Sequence, residues 1–98
     1  MTNLENAVQI IVNDYKATLQ SDYSDWDIHS WSDMIEAFGQ DSQDVKEDVV
    51  YTLKEADIFL NDDFGLEEQD GSVITYRKLM NAVRKEMKNR GIFKKEGE

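Results

Sequence analysis

Four stretches of the chain carry apolar residues three and four positions apart, the spacing of one helix face. Leu4, Ala7, Val8, Ile11, Tyr15 and Leu19 predict a first helix over residues 3–20. Ile10 and Val12 widen its apolar face, and Thr2 and Glu5 stand at capping-box spacing. Trp31, Met34, Ile35 and Phe38 predict a short second helix over 31–38, opened by Ser30 with Asp33 and closed by Gly39. Val45, Val49, Leu53, Ala56 and Leu60 predict a third over 42–60, with Asp41 or Ser42 as its cap. Tyr76, Leu79, Met80, Val83 and Met87 predict a fourth over 75–90. Gly91 ends that helix and places Ile92 to pack back on Met87. The run V-I-T-Y at 73–76 also has strand propensity, but no second segment offers it an evident partner.

Two polar stretches separate these helices: S-D-Y-S-D-W-D-I-H at 21–29 and N-D-D-F-G-L-E-E-Q-D-G-S at 61–72. Turn formers and carboxylates dominate both, so both read as acidic loops. The expectation is therefore an all-α fold, a small four-helix domain with two acidic loops. At 98 residues the chain reads as one domain, with a flexible basic and polar tail over 91–98. Proline is absent, which favours uninterrupted helices. Cysteine is absent too, which excludes disulfides and thiolate metal sites. No apolar run approaches the length of a membrane span, and the amino terminus lacks the basic and apolar regions of a signal peptide. A cytoplasmic protein is expected.

Charge changes the picture more than any other feature. The net charge is −10, from 21 acids and 11 bases. Residues 22–70 hold sixteen acids against Lys46 and Lys54, while residues 77–95 hold eight bases against Glu86. An acidic body repels nucleic acid and anionic membranes and attracts basic surfaces. On the third helix, Asp44, Asp48, Tyr51 and Glu55 fall within about 60° of one another at 100° per residue, with Lys46 and Lys54 pointing elsewhere. Asp62 would continue this stripe if the helix reached it. Like charges one turn apart cost a few tenths of a kcal/mol each, so a stripe that repeats them hints at a use for the field. The local excess of fourteen charges matches about 24 Å of duplex DNA, at one charge per about 1.7 Å.

Catalytic chemistry finds little support. His29 is the sole histidine, and no nucleophile-and-base pattern accompanies it. The second acidic loop fails as a calcium loop. With Asp70-Gly71 at positions five and six, Leu66 falls at position one and Arg77 at position twelve, where carboxylates belong. D-F-G at 63–65 lacks every other kinase element. No enzymatic activity, metal or cofactor is expected. Trp31 fits the inner face of its helix. Trp26, among Asp22, Asp25 and Asp27, is either a lid on the core or an exposed anchor for a partner.

The helix order, the acidic loop before W-S-D-M-I-E-A-F and the acidic turn after A-D-I-F resemble the small acidic phage proteins that mimic DNA, the overcome-classical-restriction type among them. The resemblance spans residues 3–88 and contains no diagnostic motif. It implies a phage-encoded inhibitor of a host defence enzyme, either a restriction complex or a Cas nuclease as with some anti-CRISPR proteins. The net charge of −10 argues against direct contact with membrane or nucleic acid, including a nucleic-acid binder that would use Arg77, Lys78, Arg84, Lys85 and Lys88. The basic final helix departs from that pattern; it could pair with an acidic face of the same chain or of a second copy in a homodimer. The partner surface expected from these readings comprises Asp22, Asp25, Trp26, Asp27, Asp33, Asp44, Asp48, Tyr51, Glu55, Asp62, Asp63, Glu67, Glu68 and Asp70. An acidic adaptor that binds a basic partner without mimicking DNA is the alternative.

Overall fold

Capping chemistry sets where each helix begins in the computed structural model, which describes residues 1–95. Helix α1 (Asn3–Asp22) opens on a reciprocal box, in which the Glu5 N–H donates to Thr2 Oγ1 and the Thr2 N–H to Glu5 Oε1. Ser30 caps α2 (Trp31–Phe38), and Asp41 and Asp44 cap each other across the start of α3 (Ser42–Glu55). Thr75 caps α4 (Tyr76–Asn89). At the far end of α4, Gly91 takes a positive φ of 62° and the Ile92 N–H donates to the Met87 carbonyl, as its spacing predicts.

Helix α3 is shorter than its apolar spacing suggests. It stops at Glu55 because Asp57 adopts the left-handed conformation, with φ 60°. The Ile58 N–H then turns back onto the Leu53 carbonyl at 2.9 Å, and the Asp57 N–H onto Lys54 at 3.0 Å. This closure aims Ile58 and Leu60 at the core and leaves Ala56 exposed, so Ala56 is not part of the buried stripe. It also ends the helix well before Asp62.

The all-α expectation is corrected by a two-stranded antiparallel sheet, which leaves the fold mostly helical. Strand β1 (Leu66–Glu67) pairs with β2 (Val73–Ile74), Leu66 opposite Ile74 and Glu67 opposite Val73. The partner that 73–76 needed lay inside the second acidic loop. Leu66 is its one strongly apolar member on the core side, 2% exposed. A Cβ on Gly65 would come within 2.8 Å of Val73 Cγ1, so glycine permits the approach of the two strands there.

Helix α1 packs along both α4 and α3 and touches β1. Ala7, Val8, Ile11, Val12 and Tyr15 supply its buried side. Val45, Val49 and Leu53 of α3 and Leu79, Met80, Val83 and Met87 of α4 meet them in one core. Met34, at 0% exposure, brings α2 onto the same core. A polar seam borders the α1–α4 contact: Gln9 Nε2 donates to Glu86 Oε2, which pairs with Arg90 at 3.0 Å, and Arg90 Nη1 donates to Asn13 Oδ1. The segment after α4, read from sequence as a flexible tail, is tied down as far as Lys94. The Lys94 N–H donates to the Ile28 carbonyl, its Nζ donates to the Ser24 carbonyl, and its own carbonyl lies 2.8 Å from His29 Nδ1. The rest of that expectation, over 96–98, lies outside the described residues.

Glu68 joins the sheet to α1. Its two carboxylate oxygens accept from the Asn3 and Leu4 N–H groups at 2.8 and 3.1 Å. These are donors of the first helical turn, where a negative charge is favoured. Glu68→Ala should therefore lower stability by about 1–2 kcal/mol, and Glu67→Ala, which removes an exposed side chain, by less than about 0.5 kcal/mol. Equal melting temperatures for the two variants would refute this account of the clamp. Asp57→Gly should raise stability by about 0.5–1 kcal/mol, because glycine has no Cβ to strain in the left-handed region. Thermal denaturation of the two forms checks it, and a lower melting temperature for the glycine variant would count against it.

Candidate protein-binding cleft

Two helical faces converge on one acidic cleft. On α1, Asp14, Thr18 and Asp22 stand four residues apart and so share a face beside the buried Tyr15. On α3, Asp48, Tyr51, Thr52 and Glu55 face them. Tyr23, Phe38 and Gln40 close the cleft, which has a volume of about 360 Å³. Rings line its inner end: Phe38 lies 4.8 Å from Tyr23 and 6.3 Å from Tyr15, centroid to centroid. Tyr51 stands at the mouth, 62% exposed.

The cleft concentrates like charge. Burial, and then the Asp48 carboxylate across the helix seam, raise Asp14 above the usual carboxylate range. The Thr52 hydroxyl offsets this weakly, donating to Asp14 Oδ2 at 3.5 Å. The Tyr15 phenol is pushed well above its ordinary range, chiefly by burial and next by Asp48. Tyr51 is raised by its hydrogen bond to Glu55 and by that residue's charge.

The surface expected from sequence divides into four groups. Asp22, Asp48, Tyr51 and Glu55 come together in the cleft. Asp25, Trp26 and Asp27 stand exposed on the loop beyond α1, with Trp26 51% exposed and edge-on to Tyr23 at 5.0 Å. Trp26 is thus no lid on the core, yet it connects to the cleft through Tyr23. Asp62, Asp63 and Glu67 are exposed around the Asn61 turn and β1 and do not line the cleft. The remaining four carboxylates are engaged by the fold itself. Asp33 accepts from the His29 N–H at 3.0 Å, Asp44 closes the α3 cap, and Glu68 clamps α1. Asp70 accepts from the Ser72 N–H and hydroxyl, bonds that lower it below its usual range.

Sequence reasoning missed Asp14, Thr52 and Gln40. The four-residue repeat of Asp14, Thr18 and Asp22 is a usable signal for the first, outweighed in the sequence by the denser acids after Asp22. Gln40 follows a helix end, and no pattern marks it. No protein-family model, curated protein or solved structure matches the chain.

The like-charge contact makes a pH prediction. A carboxyl raised on folding favours the folded state when protonated, so ionised Asp14 opposes folding above its folded pKa. That penalty fades as pH falls and is absent below the unfolded value of about 3.9. Asp14→Asn should raise the melting temperature at pH 7, by less than about 1 kcal/mol of stability because the site faces solvent. The advantage should vanish near pH 3. Thermal melts across this range check it; a destabilised variant at pH 7 would show that Asp14 is held by something other than burial and like charge.

Proposed function

We propose that the chain is a DNA-mimic inhibitor, encoded by a phage or mobile element, that covers the DNA-binding surface of a host defence enzyme in the bacterial cytoplasm. A Cas nuclease or a restriction complex is the class of target. One observation carries this reading: among the described residues, none of the sixteen acids of 22–70 forms an ion pair. Two of the bases lie over aromatic rings instead. Lys46 Nζ lies over the rings of Phe64 and Tyr76 at 5.2 and 5.3 Å, and Arg84 over Trp31 at 5.0 Å. The acidic field is therefore available to the lysines and arginines of a partner, in place of phosphates.

Magnitudes limit how far the mimicry extends. The molecule is 45 Å long, and duplex of that length carries about 26 charges. Its net charge is −10, so resemblance to DNA must be local, over the faces of α1 and α3. The alternative, an acidic adaptor without DNA mimicry, is favoured by the four carboxylates already engaged by the fold.

Competition with DNA decides between the two. Purified Cas nucleases and restriction complexes are tested for binding to the chain, then challenged with duplex DNA at rising salt. The expected result is mutual exclusion, with affinity falling as salt rises. Reversing Asp22, Asp48 and Glu55 to lysine should weaken binding by about tenfold or more, since charge-assisted contacts are worth about 1.5–3 kcal/mol each. Glu47→Lys, on the same helix outside the cleft, should change it by about threefold at most. An enzyme that binds DNA and this chain together without mutual loss of affinity would exclude mimicry and leave the adaptor.

A further inference from the structure

The α1–α3 cleft holds more than negative charge. The Tyr15 side chain is 3% exposed, and its hydroxyl finds no hydrogen-bond partner among the described residues. The Gln40 Oε1 atom, in the wall of the same cleft, is likewise buried without one. The great majority of buried polar atoms in folded proteins are paired, so two unpaired ones in one cleft leave acceptor capacity for an incoming donor. Asp14, Asp48 and Glu55 add carboxylate acceptors around them, and Tyr23, Phe38 and Tyr51 add aromatic surface.

The ligand chemistry follows from the kind of acceptors and their spread. Among the described residues no group of three ligating side chains has metal-site geometry. The acceptors instead line a cleft of about 360 Å³, room for the end of a side chain rather than a bare ion. A lysine ammonium is compact, strongly hydrated and has three donors. A guanidinium is planar and weakly hydrated, has five donors, and stacks on aromatic rings. A cleft that combines several oxygen acceptors with aromatic rings matches the second.

We propose that this cleft is a guanidinium socket that receives one arginine side chain of a protein partner. Asp14, Asp48 and Glu55 accept from its N–H groups, and Gln40 Oε1 and the Tyr15 hydroxyl oxygen supply the remaining acceptors. The inference rests on the reading that the partner is basic. It adds that one arginine anchors the contact while the other carboxylates act through their field.

The test uses the whole chain, labelled for NMR, titrated with blocked Gly-Arg-Gly and Gly-Lys-Gly peptides and with agmatine. The arginine peptide should bind at least about fivefold tighter than the lysine peptide. Its shift changes should centre on Asp14, Tyr15, Tyr51 and Glu55. Agmatine separates a free guanidinium from one carried on a chain. If agmatine binds and the arginine peptide is excluded, the socket does not serve a protein partner and the proposal falls. Tyr15→Phe should keep the folded spectrum and weaken the arginine peptide by about threefold or more, the loss of one hydrogen bond from the guanidinium to an uncharged oxygen. Asp14→Asn with Asp48→Asn should abolish the preference, and Asp63→Asn should leave it intact. Equal affinity for the two peptides, shifts spread over the acidic loops, or no effect of Tyr15→Phe would each overturn the socket. Loss of the arginine preference with DNA competition intact would remove the socket alone. The opposite pattern would remove DNA mimicry and keep the socket.

Discussion

The two-sided burial of α1 is the contact on which the rest of the structure depends. Ala7, Val8, Ile11 and Val12 give this helix an apolar side wide enough to meet α3 and α4 at once. A chain of this size buries a modest fraction of its surface, and one shared central element is an economical way to build a single core. Ile11 and Leu79 are 1% and 0% exposed. Truncating such a residue to alanine typically costs about 2–5 kcal/mol, a large share of the 5–15 kcal/mol available to a domain. The face of α1 that borders its packed side carries Asp14, Thr18 and Asp22, so the helix that organises the core also forms one wall of the cleft.

Charge separation follows from where the bases go. A cation over an aromatic face, or one bonded to backbone carbonyls, has no need of a carboxylate. Lys46 takes the first course with Phe64 and Tyr76, and Lys94 takes the second with Ser24. Arg90 is held by Glu86 and Asn13 on the opposite flank of α1. Arg84, Arg90 and Lys94 of the basic C-terminal region therefore serve the fold, and no ion pair joins that region to the acids of 22–70 among the described residues. The α1–α3 cleft keeps facing carboxylates at close range, a repulsion whose effect is seen at Asp14. The same proximity of carboxylates that makes this repulsion unfavourable would favour an incoming cation. Pre-ordered acceptors also reduce the entropy a partner must give up on binding.

Periodicity and capping residues by themselves determined the four helices and most of the core, because helical spacing and caps are local properties of the chain. Val45, Val49 and Leu53 are buried on α3, and Leu79, Met80, Val83 and Met87 on α4, as their spacing requires. The Gly91–Ile92 closure was readable for the same reason. Three things were decided by tertiary structure. Asp57 ends α3 early because turning Ile58 and Leu60 inward outweighs the strain of a left-handed aspartate. Leu66 becomes a strand residue because Val73 and Ile74 lie beside it and the core accepts its side chain. Such two-residue strands are too short to show a period. The acids were sorted last of all. Asp33, Asp44, Glu68 and Asp70 satisfy backbone donors, whereas Asp14, Asp22, Asp48 and Glu55 meet across a helix seam. A carboxylate's residue type is the same in either role, and only the position of its neighbours in space distinguishes them.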